Sequence, residues 1–259
     1  MSQTLQLLAP RSAIATLLLA SGLAGCSWLR AEKQVDPLTA PLQDLDVAWR
    51  ARGTTGLDPV VASLDALLAN APADARVLWR AARLRWLQGF LSTAPPESRN
   101  HWETGREYAL ACLANDPDVA AALRQGGWRV TSATLVTTTP EQRPCMLWAA
   151  ANGLALVEQR GNGGLLDAES ACAMTDRASQ IVGSAEPGLL DWEVGTCAWW
   201  IGGDPQAAAS AWERAQASGN PLYGLASLAH VPGAALVAGS AEYALESARV
   251  DAIRAKPTP

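Results

Sequence analysis

The stretch from Leu189 to Pro221 limits the possible folds more than any other part of the chain. Trp192, Gly195, Thr196 and Trp199 stand at i, i+3, i+4 and i+7, which is one stripe of an α-helix. Gly202-Gly203 makes a turn, and Asp204-Pro205 offers an N-cap oxygen followed by a preset φ. Ala208, Ala211, Trp212 and Ala215 then repeat the stripe, and Ser218-Gly219-Asn220-Pro221 stops it. The result is a helical hairpin with large residues on its first helix and small ones on its second. One such unit cannot bury both faces, so it requires neighbours.

The neighbours are legible. Residues 42–52 read as a short helix with Trp49, ended by Gly53-Thr54-Thr55-Gly56. Asp58-Pro59 repeats the start signature, with Val61, Leu64, Leu67 and Leu68 on one face and Asn70-Ala71-Pro72 closing the unit. A second unit begins at Asp74, where Trp79, Ala82 and Trp86 match the Trp192 stripe. Leu91 to Asn100 reads as a polar insertion. A helix from about His101 to Ala114 follows, with Tyr108 and Ala111 in the places of Trp212 and Ala215, closed by Asn115-Asp116-Pro117. Residues 118–139 break the pattern and read as an irregular helix and a long loop. The third unit, Cys145 to Pro187, carries Trp148, Ala151, Asn152 and Ala155, a turn at Gly161-Asn162-Gly163-Gly164, and then Ala171, Met174, Ala178 and Ile181. A short helix at 222–231 and an amphipathic one at 240–256 complete the chain. Hairpins recurring in this way predict an all-α fold, an α-solenoid of tetratricopeptide-like helical hairpins over residues 41–259.

The N-terminal residues belong to a different problem. Ser12 to Ala20 is apolar but too short to span a bilayer, and Leu23-Ala24-Gly25-Cys26 follows it directly. This resembles the lipobox of bacterial lipoproteins. The resemblance implies a signal peptide over 1–25, acylation of Cys26, a tether over 26–40 and attachment to the membrane by lipid alone. Ser27, rather than Asp, after the cysteine favours the periplasmic face of the outer membrane. Four cysteines remain, Cys112, Cys145, Cys172 and Cys197, an even number that suits an oxidising compartment. They allow three pairings. Cys112–Cys145 with Cys172–Cys197 is preferred because each joins elements close in sequence, and closing the longer loop contributes roughly 3–4 kcal/mol.

Catalytic signals are absent from the sequence. Its two histidines, His101 and His230, sit in no metal or base motif; His101 reads as a helix start and His230 as a loop residue. Gly161 to Gly164 has neither a preceding strand nor a following Lys, as a phosphate loop requires. No cofactor or metal is implied, and a net charge of −5 gives no support for nucleic acid. Two features suggest binding. Arg76, Arg80 and Arg83 fall at i, i+4 and i+7 on the helix of Trp79 and Trp86, where guanidinium groups along a groove would attract a carboxylate; a solvated helix face is the alternative. Asn152 stands on the core stripe of the third unit and either ties one helix to the next or lines a polar cavity. Eleven Trp against one Phe also suits ligand grooves, although most of these Trp lie where core stripes need bulk.

Taken together, the lipobox, the phrase Val77 to Arg83, Asn115-Asp116-Pro117 and above all Leu147-Trp148-Ala149-Ala150-Ala151-Asn152-Gly153 resemble the T-component lipoproteins of TRAP transporters. The likeness runs from about residue 41 to 256. It implies a non-enzymatic periplasmic accessory of solute uptake that associates with a periplasmic solute-binding protein and has a cavity or pore for a small organic ligand, a hydrophobic one included. Arg76, Arg80, Arg83, Trp148 and Asn152 are the expected lining residues, and a homo-oligomer is left open. A tetratricopeptide scaffold for envelope assembly is the competing expectation. If the lipobox is used, Cys26→Ser abolishes incorporation of radiolabelled palmitate and moves the chain from the membrane pellet to the soluble fraction; continued labelling would contradict it.

Overall fold

The computed structural model describes residues 36–92, 94–160, 165–183 and 186–220. The lipobox with Cys26, the Gly161–Gly164 turn, His230 and the helices expected at 222–231 and 240–256 lie outside the described residues. Within them the fold is all-α, an array of stacked helical hairpins. The first hairpin is α1 (Thr39–Thr55) and α2 (Asp58–Asn70), and the second is α3 (Ala75–Leu91) and α4 (Pro95–Leu113). A short α5 (Pro117–Gln125) and two 3-10 turns lead to the third, α6 (Arg143–Arg160) and α7 (Leu165–Gln180). The fourth is α8 (Leu189–Cys197), extended by a π turn at Ala198–Gly202, and α9 (Pro205–Ala217). Each second helix packs on the first helix of the next hairpin: α2 on α3, α4 on α6 and α7 on α8. The first helices also meet, α3 against α6 and α6 against α8.

The hydrophobic stripes account for this stacking. Leu42, Leu45 and Trp49 on α1 are buried at helical spacing, as are Ala208, Ala211, Trp212 and Ala215 on α9. The Trp residues of the first-helix stripes converge. Trp86 of α3 lies with its ring centroid 6.0 Å from Trp148 of α6 and 5.7 Å from Trp192 of α8. Within the fourth hairpin, Gly195 lets the Trp212 indole lie directly on α8, where a Cβ would collide with the ring. The indole Nε1 of Trp212 donates to Thr196 Oγ1 at 3.4 Å. Disulfides join Cys112 to Cys145, linking α4 to α6, and Cys172 to Cys197, linking α7 to α8.

Several element ends differ from the sequence reading. Helix α1 does not stop before Gly53 but runs to Thr55. The Thr54 and Thr55 hydroxyls bond back to Ala51 O, and Gly56, at φ 80°, closes the helix. Asp58 is not a cap, because Leu57 is already helical; Asp58 sits in the first turn, where its charge favours the helix dipole. Val60 takes the buried place expected of Val61. The insertion of the second unit is largely helix. Pro95 and Pro96, read as loop formers, occupy the first helical turn, where a missing N–H costs nothing. That earlier start rotates the inward face. Trp102 takes the role assigned to Tyr108, its Nε1 donating to Trp86 O at 3.2 Å, and Ala111 faces solvent while Ala109, Cys112 and Leu113 are buried. His101 lies inside α4 rather than at its start. Residues 117–139 hold a regular short helix, α5, capped by Asp116 through the backbone N–H groups of Asp118 and Val119. The following loop is pinned to α7 by Arg177, which donates to Thr138 Oγ1 and Thr138 O, each at 3.1 Å.

Two polar side chains, Glu193 and Asn152, lie fully buried in the core. Glu193 on α8 is completely buried; burial raises its carboxyl well above the usual range, against a hydrogen bond from Thr175 and the charge of Arg143. Asn152 on α6 is also fully buried, and its Nδ2 donates to Ala82 O of α3 at 3.2 Å and to Trp148 O at 2.7 Å. Asn152 is therefore a tie between helices, not a cavity residue. Gly105 of α4 makes room for it, since a Cβ there would collide with the Asn152 amide. Gly105→Ala is expected to destabilise the chain by about 2 kcal/mol in chemical denaturation. Combined with Asn152→Ala it should cost less than the two single effects added, because the same collision is relieved; simple additivity would show that the two residues do not press on each other.

Candidate ligand cleft on the inner helices

The first helices of all four hairpins border one cleft. Helix α1 contributes Asp46, Trp49, Arg50 and Arg52; α3 contributes Trp79 and Arg83; α6 contributes Pro144, Leu147 and Trp148. Glu186, Pro187, Leu189 and Asn220 complete it. Its volume is about 390 Å³, within the range of small-molecule sites. The lead into α8 is held in place by bonds to its backbone and to Glu186. Arg143, itself buried, donates to Ala178 O at 2.9 Å and Gly183 O at 2.7 Å. Leu189 N donates to Glu186 O, and Asn220 Nδ2 reaches Glu186 Oε1 at 3.3 Å.

One wall is a ladder of guanidinium groups and indoles. The Arg52 guanidinium lies 4.1 Å from the Trp49 ring centroid, and that of Arg83 lies 4.0 Å from the same ring. Arg83 is also 5.1 Å from Trp79, which takes Arg80 at 4.1 Å. Each contact of this kind contributes about 0.5–2 kcal/mol, more where water is excluded. Asp46 closes the ladder. It accepts from Arg80 Nε at 2.9 Å and Nη2 at 2.5 Å, and from Arg83 Nη2 at 3.2 Å. Glu186 lies 3.6 Å from Arg52.

The charges respond to this setting. Arg83 is 8% exposed, and its pKa is lowered to about 10, mainly by burial, with the charges of Glu186 and Asp46 opposing the fall. It remains a cation at neutral pH. Burial alone would raise Asp46, but the hydrogen bonds and charges of Arg80 and Arg83 together outweigh it and hold the carboxyl below its ordinary value.

The expected site residues separate here. Arg83 and Trp148 line the cleft. Arg80 stands behind the wall, its Nε and Nη2 bonded to Asp46. Arg76 is exposed and folds onto its own N-cap, with Nη2 2.8 Å from Asp74. The arginine stripe therefore does not act as one anion-binding row, because each member meets a different acidic residue or depth. Asn152 is outside the cleft. Asp46, Trp49 and Glu186 are not among the lining residues expected from the sequence, where Trp49 reads only as core bulk of the first helix. Asp46 precedes Trp49 by one helical turn, but nothing local says that α3 will bring two arginines to it.

Among the described residues no cluster of His, Cys, Asp or Glu is arranged to hold a metal, and no helix is long and apolar enough to cross a membrane. No family model, no curated protein and no solved structure matches this chain.

Because the folded-state value of Asp46 is depressed, its stabilising contribution is complete above its unfolded value of about 4 and is lost as pH falls through the folded value. Asp46→Asn leaves the buried Arg83 poorly paired and should lower stability at pH 7 by about 2 kcal/mol. It should also flatten the acid limb of stability against pH below about 4. An unchanged acid limb would show that this pair does not couple to folding.

Proposed function

We propose that this chain is a non-enzymatic envelope lipoprotein, a T-component-like accessory of TRAP-type solute uptake, and that the inner cleft holds its small ligand. The observation that carries the reading is the cleft itself. Four sequence-distant first helices border it, and its size suits a small molecule rather than a folded partner. Further support comes from Leu147 to Gly153, the phrase that most resembles the T-component family. Its Trp148 forms part of the cleft, while its Asn152 fixes α6 against α3. The two disulfides suit an oxidising, extracytoplasmic compartment. In this reading the chain is tethered by lipid at Cys26 and hands the ligand to, or receives it from, a periplasmic solute-binding protein.

A scaffold that binds extended peptide is the second reading. The feature in its favour is that stacked hairpins turn their first helices toward a shared inner face, a geometry used for peptide recognition. A rim substitution separates the two. Asn220→Trp places a bulky ring in the cleft mouth. A strain lacking the chain should lose uptake of one class of small solute, regained with the wild-type chain and not with Asn220→Trp. Unchanged uptake across solutes, with an extended peptide captured on the inner face, would transfer the assignment to the scaffold.

A further inference from the structure

Two polar atoms in the cleft wall are shielded from solvent and have no hydrogen-bond partner. They are Nε of Arg83 and Oε2 of Glu186. They are complementary in kind, since a guanidinium N–H can only donate and a carboxylate oxygen can only accept. The other ends of both side chains are already engaged: Arg83 Nη2 on Asp46, and Glu186 Oε1 with Asn220 and Arg52. The two residues make no ion pair with each other, yet Glu186 is the leading charge favouring the protonated form of Arg83. Both line the same cleft, Arg83 from α3 and Glu186 from the lead into α8. A buried donor or acceptor atom left without a partner is costly, and two such atoms of opposite kind ask for one bridging group between them.

The chemistry of that bridge can be narrowed. A carboxylate would accept from Arg83 but has no proton to give to Glu186 Oε2, which it would meet acceptor to acceptor. An ammonium would suit Glu186 but would meet Arg83 and Arg52. A hydroxyl both accepts and donates and carries no charge, so one group can serve both atoms. The remaining surroundings agree. Arg50, which is exposed, offers polar contact, and Leu147 with Trp148 offers apolar surface for a C–H face. We infer that the cleft takes a small uncharged polyhydroxylated ligand, of the polyol or monosaccharide class, with one hydroxyl bridging Arg83 Nε and Glu186 Oε2. This rests on the reading of the cleft as a small-ligand site and specifies its ligand.

The test uses the full lipid-anchored chain in detergent, titrated with glucose, mannitol, succinate and choline and followed by saturation-transfer NMR and tryptophan fluorescence. Glucose or mannitol binds, and succinate and choline do not. Glu186→Gln weakens the polyol about tenfold by removing the charged acceptor, and it brings succinate into measurable range because the carboxylate facing it is replaced by a neutral amide. This gain of binding is an effect that loss of folding cannot produce. Succinate binding to the wild-type chain, with both polyols silent, overturns the hydroxyl assignment and leaves the small-ligand reading standing. Silence of all four probes overturns the inference, and silence accompanied by binding of a short extended peptide overturns the small-ligand reading as well.

Discussion

The meeting of Trp86, Trp148 and Trp192 sets the shape on which the rest of the structure depends. These rings come from α3, α6 and α8, the first helices of three successive hairpins. Large indoles in edge and tilted contact bury extensive apolar surface and favour defined mutual geometry. Their contact makes α8 a neighbour of α3 as well as of α6. The array therefore curls inward, and whatever the first helices carry on their remaining face is brought into a narrow space. Glycines on both kinds of helix belong to the same design: Gly195 on α8 and Gly105 on α4 allow the neighbouring side chains, Trp212 and Asn152, to approach closely.

Inward curling has an electrostatic consequence. Arg83 lies one helical turn before Trp86 by sequence, on a helix whose neighbours close around it, so its guanidinium is taken out of water. Asp46 and the faces of Trp49 and Trp79 replace that water. The same contacts join the first hairpin to the second, because Asp46 and Trp49 are on α1 and Arg80 and Arg83 on α3. The wall of the cleft is thus also a structural joint, and substitutions there will act on folding and binding together. Glu186 is different. It stands on the lead into α8, outside the joint of α1 with α3, and its own contacts are to Arg52 and Asn220.

Much of the architecture was legible in the sequence because helical stripes and their stop signals are local. The Asp204-Pro205 start, Trp192, Gly195 and Thr196 on α8 and the small-residue face of α9 are found where spacing put them, whereas Trp199, expected on the same α-helical stripe, falls in the π turn and is only partly buried. Errors arose where one signal has two meanings. Pro95-Pro96 can break a chain or begin a helix, and the choice shifted the inward face of α4 so that Trp102, not Tyr108, packs on α3. Gly53 can end a helix or be carried inside one. The site was less legible, since it is made of pairs distant in sequence. The arginines of α3 could be read as a row, but their separate partners, Asp74 for Arg76 and Asp46 for Arg80 and Arg83, depend on how α1 is placed. Arg83 and Trp148 could be named in advance because they combine a stripe position with a function-bearing side chain. Glu186 could not, because its role follows from the stacking of the fourth hairpin on the third.

The central claim is that ligand enters among the inner helices, and the indole N–H resonances of the tryptophans report on it directly. Two-dimensional NMR of the full chain, with indoles assigned by single Trp→Phe substitutions, would be recorded with and without a saturating small-molecule ligand. The account predicts shifts concentrated at Trp49, Trp79 and Trp148, with Trp102 and Trp128, which lie away from the cleft, unmoved. Shifts at the half-exposed Trp128, with the three cleft indoles unchanged, would contradict it.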